Sequence, residues 1–376
     1  MGSPWTRLMI LCGAAMMAAF LGCGKSEPES AKREGGDKIQ IGLLMETYDV
    51  DRWARDEEFF TQQANHMGAQ VRRNVADGDQ DRQNKQADSM LTQGVNVLVV
   101  IPKDLETASR IVVSAHEKRA PVVAYDRLIR GCDLDMYVTF DNEKVGYLQA
   151  KGVLEKVPEG NYILLGGAAS DNNAQLLRKG QERAIAEHQK ATGRKITVLD
   201  KPFLDNWDRE EARRRVSNML TKFKAEGKKV DAIVASNDST AGGAVAALKG
   251  EQLDGKVAVS GQDAELSACQ RIVEGTQTVT VYKPVRLLAK VAAEAAVRLA
   301  RGEKPEQVIP AMGHKPDLLD NGFRKVPTIL LEPVFVTKEN MAGTVVKDGW
   351  HPLEEIYRNV PREQWPSPAG AATGGK

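Results

Sequence analysis

The sequence predicts an α/β protein of two similar lobes, each a three-layer αβα arrangement on a parallel sheet. Three observations lead there. Short apolar runs, continuous enough to be buried on both faces, alternate with helical patterns at the spacing of βαβ units. The 376 residues exceed one ordinary domain, and 42% hydrophobic content is enough for two cores. The apolar runs also break repeatedly into charged and amide residues, which puts polar side chains at the carboxyl ends of strands, where open α/β sheets bind ligands. Residues 230–248 (VDAIVASNDSTAGGAVAAL) display all three features: an apolar run, then Ser236, Asn237 and Asp238, then a helix of small residues. Helix capping by Ser236 or Asp238 explains either residue alone equally well, so the functional reading rests on the recurrence of the layout.

In chain order, residues 1–22 predict a targeting segment. Arg7 is its positive end, and 8–21 (LMILCGAAMMAAFL) is an apolar run of about 14 residues, right for a signal peptide and short for a membrane span. The polar stretch that follows, to residue 37, predicts a flexible tether. The body opens with a strand over 39–44 and a helix stopped by Gly68. A strand over 70–75 leads to a helix closed by Gly94, as a glycine cap would close it. Strands over 95–101 and 122–125 flank a helix whose inner face carries Ile111, Val112 and Ala115, and Pro121 bars its continuation. After a strand over 136–140, a helix over 143–157 starts the second lobe. The series then repeats: strands over 162–167, 196–199, 232–235, 257–260 and 278–282, with long helices reaching about residue 188 and starting at Arg209. Pro284 suits the first turn of an alanine-rich helix over 285–301. Four breakers, Pro305, Pro310, Pro316 and Gly322, predict an irregular 303–324. Residues 329–336 predict a late strand pair bent at Pro333, and the Pro-, Gly- and Ala-rich 357–376 predict a disordered tail. Cys132 and Cys269 fall far apart, in different lobes, and predict two buried thiols rather than a disulfide.

Lys plus Arg number 52 against 51 Asp plus Glu, which argues against a nucleic-acid surface dominated by excess basic charge. The strand exits present Arg52, Trp53, Asp126, Arg127, Asn173, Trp207, Asn237, Asp263 and Lys283. A neutral sugar needs such a mixture. Each hydroxyl donates and accepts, so it is matched by carboxylates, amides and cations together, and indoles cover the apolar faces of the ring. Opposed charges also neutralise one another when water is expelled. Singly, Arg52 and Lys283 read equally as solvated charges, Trp53 as a helix-core residue, and Asp126 with Arg127 as a local ion pair. An enzyme using two of Asp126, Asp171 and Asp263 as a glycosidase pair is the competing class, and Arg127 and Lys283 oppose it by holding carboxylates ionised. No phosphate loop, nucleophile elbow or metal-spaced His/Cys set is present.

The segments AYDR (124–127), TFDNEKVG (139–146), SDNNA (170–174), ASNDSTAGGAV (235–245), SGQDAE (260–265) and TQTVTVYKP (276–284) resemble those of bacterial periplasmic D-xylose-binding proteins, in the pentose and hexose branch of the type I substrate-binding proteins. The likeness covers roughly 38–351. It implies the type I periplasmic-binding-protein fold, with hinge crossings near 143–146, 282–284 and 322–328. The lobes are then 38–145 with 284–323, and 146–283 with 324–356. It implies sugar contacts at the nine strand-exit residues named above and no cofactor. It also implies a monomeric receptor that closes on D-xylose or a related aldopyranose and delivers it to an ABC importer. An exported sensor reporting to a membrane kinase shares these features, whereas a sugar-responsive repressor would carry a helix-turn-helix where this chain has an export signal. Residues 20–23 (FLGC) resemble the bacterial lipoprotein box, which implies lipid on Cys23 and a place in the cell envelope.

Overall fold

A computed structural model describes residues 38–48 and 52–366. The signal, the tether and Cys23 lie outside the described residues, as does the tail beyond 366. The first lobe alternates β1 (Gln40–Met45), α1 (Arg52–His66), β2 (Gln70–Val75), α2 (Gln80–Thr92), β3 (Val97–Val100), α3 (Ser109–Glu117), β4 (Val122–Tyr125) and β5 (Met136–Phe140). The chain then crosses at 141–142 into α4 (Asn142–Lys156), β6 (Gly160–Leu165), α5 (Asn172–Thr192), β7 (Ile196–Asp200), α6 (Arg209–Ala225), β8 (Ala232–Ala235), α7 (Asp238–Gly250), β9 (Ala258–Gln262), α8 (Leu266–Glu274) and β10 (Val279–Tyr282). It returns at 283–284 through α9 (Val285–Ala300), α10 (Pro305–Ala311), β11 (Asp317–Asp320) and β12 (Lys325–Leu331). A last crossing at 332–333 leads to β13 (Val334–Val336) and α11 (Leu353–Ile356).

The first sheet runs β11-β12-β5-β4-β3-β1-β2 and the second β13-β10-β9-β8-β6-β7. Pairing is parallel throughout except at the edge pairs β11/β12 and β10/β13. The inner strands of both sheets are buried on both faces, which is why they read as continuous apolar runs. Leu43 packs with Val97, Val99 and the α1 and α9 side chains, while its neighbour Leu44 packs with Leu98, Val100 and the α2 and α3 side chains. Ile163 and Tyr162 divide the second lobe's core in the same way. Each such side chain contributes about 1.5–3 kcal/mol when fully buried.

Three sequence expectations are corrected. The strand over 325–331 is not in the second lobe. It pairs with β5 in parallel, Ile329 opposite Val138, so the second lobe resumes only after the final crossing. The late strand pair is thus split between two sheets, because an open β5 edge takes β12 while the bend at Pro333 releases β13 to β10. Residues 303–324 are not irregular: Pro305 starts α10, where its missing N–H costs nothing, and Pro310 falls in the last turn. The disordered tail does not begin at 357. Tyr357 and Val360 are buried, and Trp365 packs against Tyr357, with tilted rings and centroids 5.8 Å apart, and donates to the Val360 carbonyl. Cys132 and Cys269 are free and buried. Among the described residues, no helix is long and apolar enough to cross a membrane.

Candidate functional site

Because every parallel strand in both sheets ends on the side facing the other lobe, the loops after them meet across one narrow cleft. Its lining is Arg52, Trp53, Asp126 and Arg127 from the first lobe, Asp171, Asn173, Trp207, Asn237, Gln262 and Asp263 from the second, and Lys283 on a crossing. All nine residues singled out in the sequence are brought together here. Asp171 enters the sequence reading only as a candidate member of a glycosidase pair, and Gln262 does not enter it as a site residue. Both sit beside a residue that was chosen, Gln262 immediately before Asp263 and Asp171 two places before Asn173.

Local structure fixes each side chain. Arg52 opens α1 and grips Asp56 one turn on through two hydrogen bonds, at 2.9 and 3.0 Å, while the Tyr125 hydroxyl donates to the same carboxylate. Its remaining nitrogen, Nη1, donates to Asp126 Oδ1 at 3.1 Å and lies 3.6 Å from Asp263 Oδ1. Lys283 Nζ stands 3.5 Å from Asp126 and 3.4 Å from Asp263. Arg127 donates to Glu46 on its own lobe, and its Nε lies 3.2 Å from Asp171 Oδ2 across the cleft. The Trp207 indole donates to that same oxygen at 3.2 Å. Its ring passes so close to Gly167 that a Cβ there would sit 2.3 Å from it. Asn173 donates to the Asp126 carbonyl at 3.0 Å and accepts from Asn142 at 3.0 Å. The cap of α7 is neither Ser236 nor Asp238 but Asn237, whose Oδ1 accepts from the Thr240 N–H at 2.9 Å in a capping box. That bond occupies the carbonyl end of the amide.

Charge is balanced: the cleft sets Arg52, Arg127 and Lys283 against Asp126, Asp171 and Asp263. Burial pushes the Asp126 carboxyl upward, but Arg52, Lys283 and Arg127 outweigh it and hold the group at about 2. Burial likewise opposes the charge on Arg52, and Asp126 and Asp56 more than restore it. Asp126 is therefore ionised at neutral pH, unsuited to proton donation. Trp53 is 2% exposed, belongs to the first lobe's core, and lies under the Arg52 guanidinium at 4.5 Å. Three buried lining atoms, Trp53 Nε1, Gln262 Oε1 and Asp263 Oδ1, have no hydrogen-bond partner among the described residues. One donor and two acceptors on residues that line the cleft are thus left without a hydrogen bond. Among the described residues, no group of His, Cys, Asp and Glu is placed to hold a metal.

A family model described as a periplasmic binding protein domain matches residues 41–304. The chain is 46% identical to the D-xylose-binding periplasmic protein of Haemophilus influenzae, over 85% of this chain and 92% of that one. It is 43% identical to the Escherichia coli protein of the same name, over 85% and 93%. Among solved structures it is similar to a carbohydrate transporter solute-binding protein from Chloroflexus aurantiacus in complex with D-glucose. That match has a TM-score of 0.74, 29% identity, and 85% and 98% of the two chains covered. It is also similar to an ABC transporter solute-binding protein from Clostridium phytofermentans with bound β-D-glucose, with a TM-score of 0.75, 26% identity, and 84% and 99% covered.

Proposed function

The chain belongs to the periplasmic binding protein family, whose members bind substrates rather than transform them, and from that premise we propose that it is an exported receptor that closes on D-xylose, or a closely related aldopyranose, and delivers it to an ABC importer. The observation that carries the proposal is a set of buried lining atoms that make no hydrogen bond, Trp53 Nε1, Gln262 Oε1 and Asp263 Oδ1, the last held only by its longer ion pairs with Lys283 and Arg52, in a cleft whose lining charges balance. A buried polar atom that makes no hydrogen bond is costly, and sugar hydroxyls supply both the acceptor and the donors that would complete these atoms. In this reading Arg52, Asp126, Arg127, Asn173, Asn237, Asp263 and Lys283 bond the hydroxyls, and Trp53 and Trp207 cover the ring. Gln262 and Asp171 join them. Ligand favours the closed state because only there do both halves of the set touch it.

A calorimetric and thermal-shift panel of xylose, arabinose, ribose, glucose and galactose tests this directly. Xylose is expected to bind most tightly and to raise the melting temperature most. A panel with no sugar bound, or with xylose no better than the others, rejects the reading or its specificity respectively. The proposal extends to the cell envelope: Cys23 carries lipid, and the protein works there as a monomer. Fatty-acid labelling that persists in Cys23→Ser would remove the anchor from the scheme.

A further inference from the structure

Asp263 and Ala264 both adopt left-handed backbone, with φ of 94° and 50°, which residues bearing a Cβ adopt only when their surroundings enforce it. The turn they make carries Asp263 from the end of β9 into the cleft. It is clamped from two sides. Towards the sheet, the Ala264 N–H donates to Thr280 Oγ1 at 3.2 Å, Thr280 donates to Asp238 Oδ2 at 2.8 Å, and Asp238 accepts the next N–H, that of Glu265, at 3.0 Å. On the other side, the Ala264 carbonyl accepts from Trp350 Nε1 at 2.9 Å and lies 2.9 Å from His351 Nε2. These two residues come from the C-terminal segment, outside the cleft, and both are buried.

The outer clamp is also gripped by the opposite lobe. Trp350 packs in the second lobe's cluster with Ala264, Cys269 and Ile272. Arg55, on the same helix as Arg52 and Trp53, donates to the Trp350 carbonyl and lays its guanidinium 4.4 Å over the Trp350 ring. A single residue therefore touches the turn that aims Asp263 and the first-lobe helix that carries Arg52.

We propose that Trp350 and His351 form a positioning pin for Asp263, and that Arg55 engages the pin as the lobes close, so that closure and the aim of the Asp263 carboxylate are reinforced together. The inference rests on the cleft being the sugar site. None of the three residues lines the cleft, so each acts on binding through Asp263 and through closure.

Calorimetry and stopped-flow release of D-xylose from the exported chain separate the possibilities. Trp350→Phe keeps a ring and loses the donor, and it is expected to weaken xylose about tenfold, the scale of one buried hydrogen bond. Arg55→Met keeps a stem and loses the cross-lobe grip. It is expected to release xylose about tenfold faster, with association and the sugar-free melting temperature unchanged. Because both substitutions act on one pin, the double variant is expected to lose less than the product of the two effects. Wild-type release from Arg55→Met, or a Trp350→Phe variant that melts lower yet binds normally, overturns the pin while the receptor reading stands. Wild-type protein that binds no sugar overturns both.

Discussion

Asp126 shows how the cleft tolerates so much charge. Its ordinary value of 3.8 is lowered to about 2, because Arg52, Lys283 and Arg127 outweigh the effect of its burial. A carboxylate depressed on folding stabilises the fold above its unfolded value, and that contribution is lost as pH falls from near 3.8 through about 2. The difference amounts to about 2 kcal/mol. Urea unfolding of the sugar-free protein should therefore show wild type losing about 2 kcal/mol more than Asp126→Asn between pH 5 and pH 2; parallel losses would mean the carboxylate is not held by its neighbours. For sugar binding, Asp263→Ala or Arg127→Ala is expected to cost about 2–4 kcal/mol by calorimetry, since each leaves buried partners unmatched. Near-wild-type affinity in either would remove that residue from the site. Arg52, Asp126 and Lys283 were legible in the sequence because a strand's end announces itself where an apolar run stops. Gln262 was not. Side-chain alternation puts neighbours on opposite faces of a strand, and only the left-handed turn at Asp263 brings both into one cleft.

Among the elements, α4 and α5 form the tightest join in the second lobe. A Cβ on Gly146 would stand 1.9 Å from the Leu177 carbonyl oxygen, and one on Gly180 1.9 Å from that of Glu143. Backbone meets backbone there, so neither neighbour can swing aside. Gly180→Ala is expected to cost about 3 kcal/mol and to lower the melting temperature by roughly 5–10 °C; an unchanged melting curve would show that the helices can part freely. The 122–125, 136–140 and 232–235 strands are readable to the residue, because doubly buried parallel strands are short apolar runs bounded by breakers. Sheet membership was not readable. Nothing in KVPTILL says whether β12 joins β5 or the second sheet, since either open edge would accept an apolar strand. The segment 357–366 misled for another reason. The Pro-, Gly- and Ala-rich composition belongs to the residues that follow it, whereas Tyr357 and Trp365 anchor this segment by a tilted ring contact.

At the scale of the whole molecule, some of the closed state is held by protein alone. Arg127 meets Asp171 at 3.2 Å and Asn173 donates to the Asp126 carbonyl at 3.0 Å, both across the cleft and both between protein groups. Such contacts exist only when the lobes are together, so they raise the closed population before any sugar arrives, and apparent affinity scales with that population. Asp171→Asn keeps the oxygen that caps α5, but replaces the one that accepts from Trp207 and faces Arg127 with an amide NH2 and removes the charge. Small-angle scattering without sugar should then show a larger mean radius than wild type, and xylose should bind about tenfold more weakly, chiefly through faster release. The two readouts must move together. Weaker binding with an unchanged radius would make Asp171 a sugar contact only, and closure would then depend on the ligand and the Arg55–Trp350 grip rather than on this ion pair.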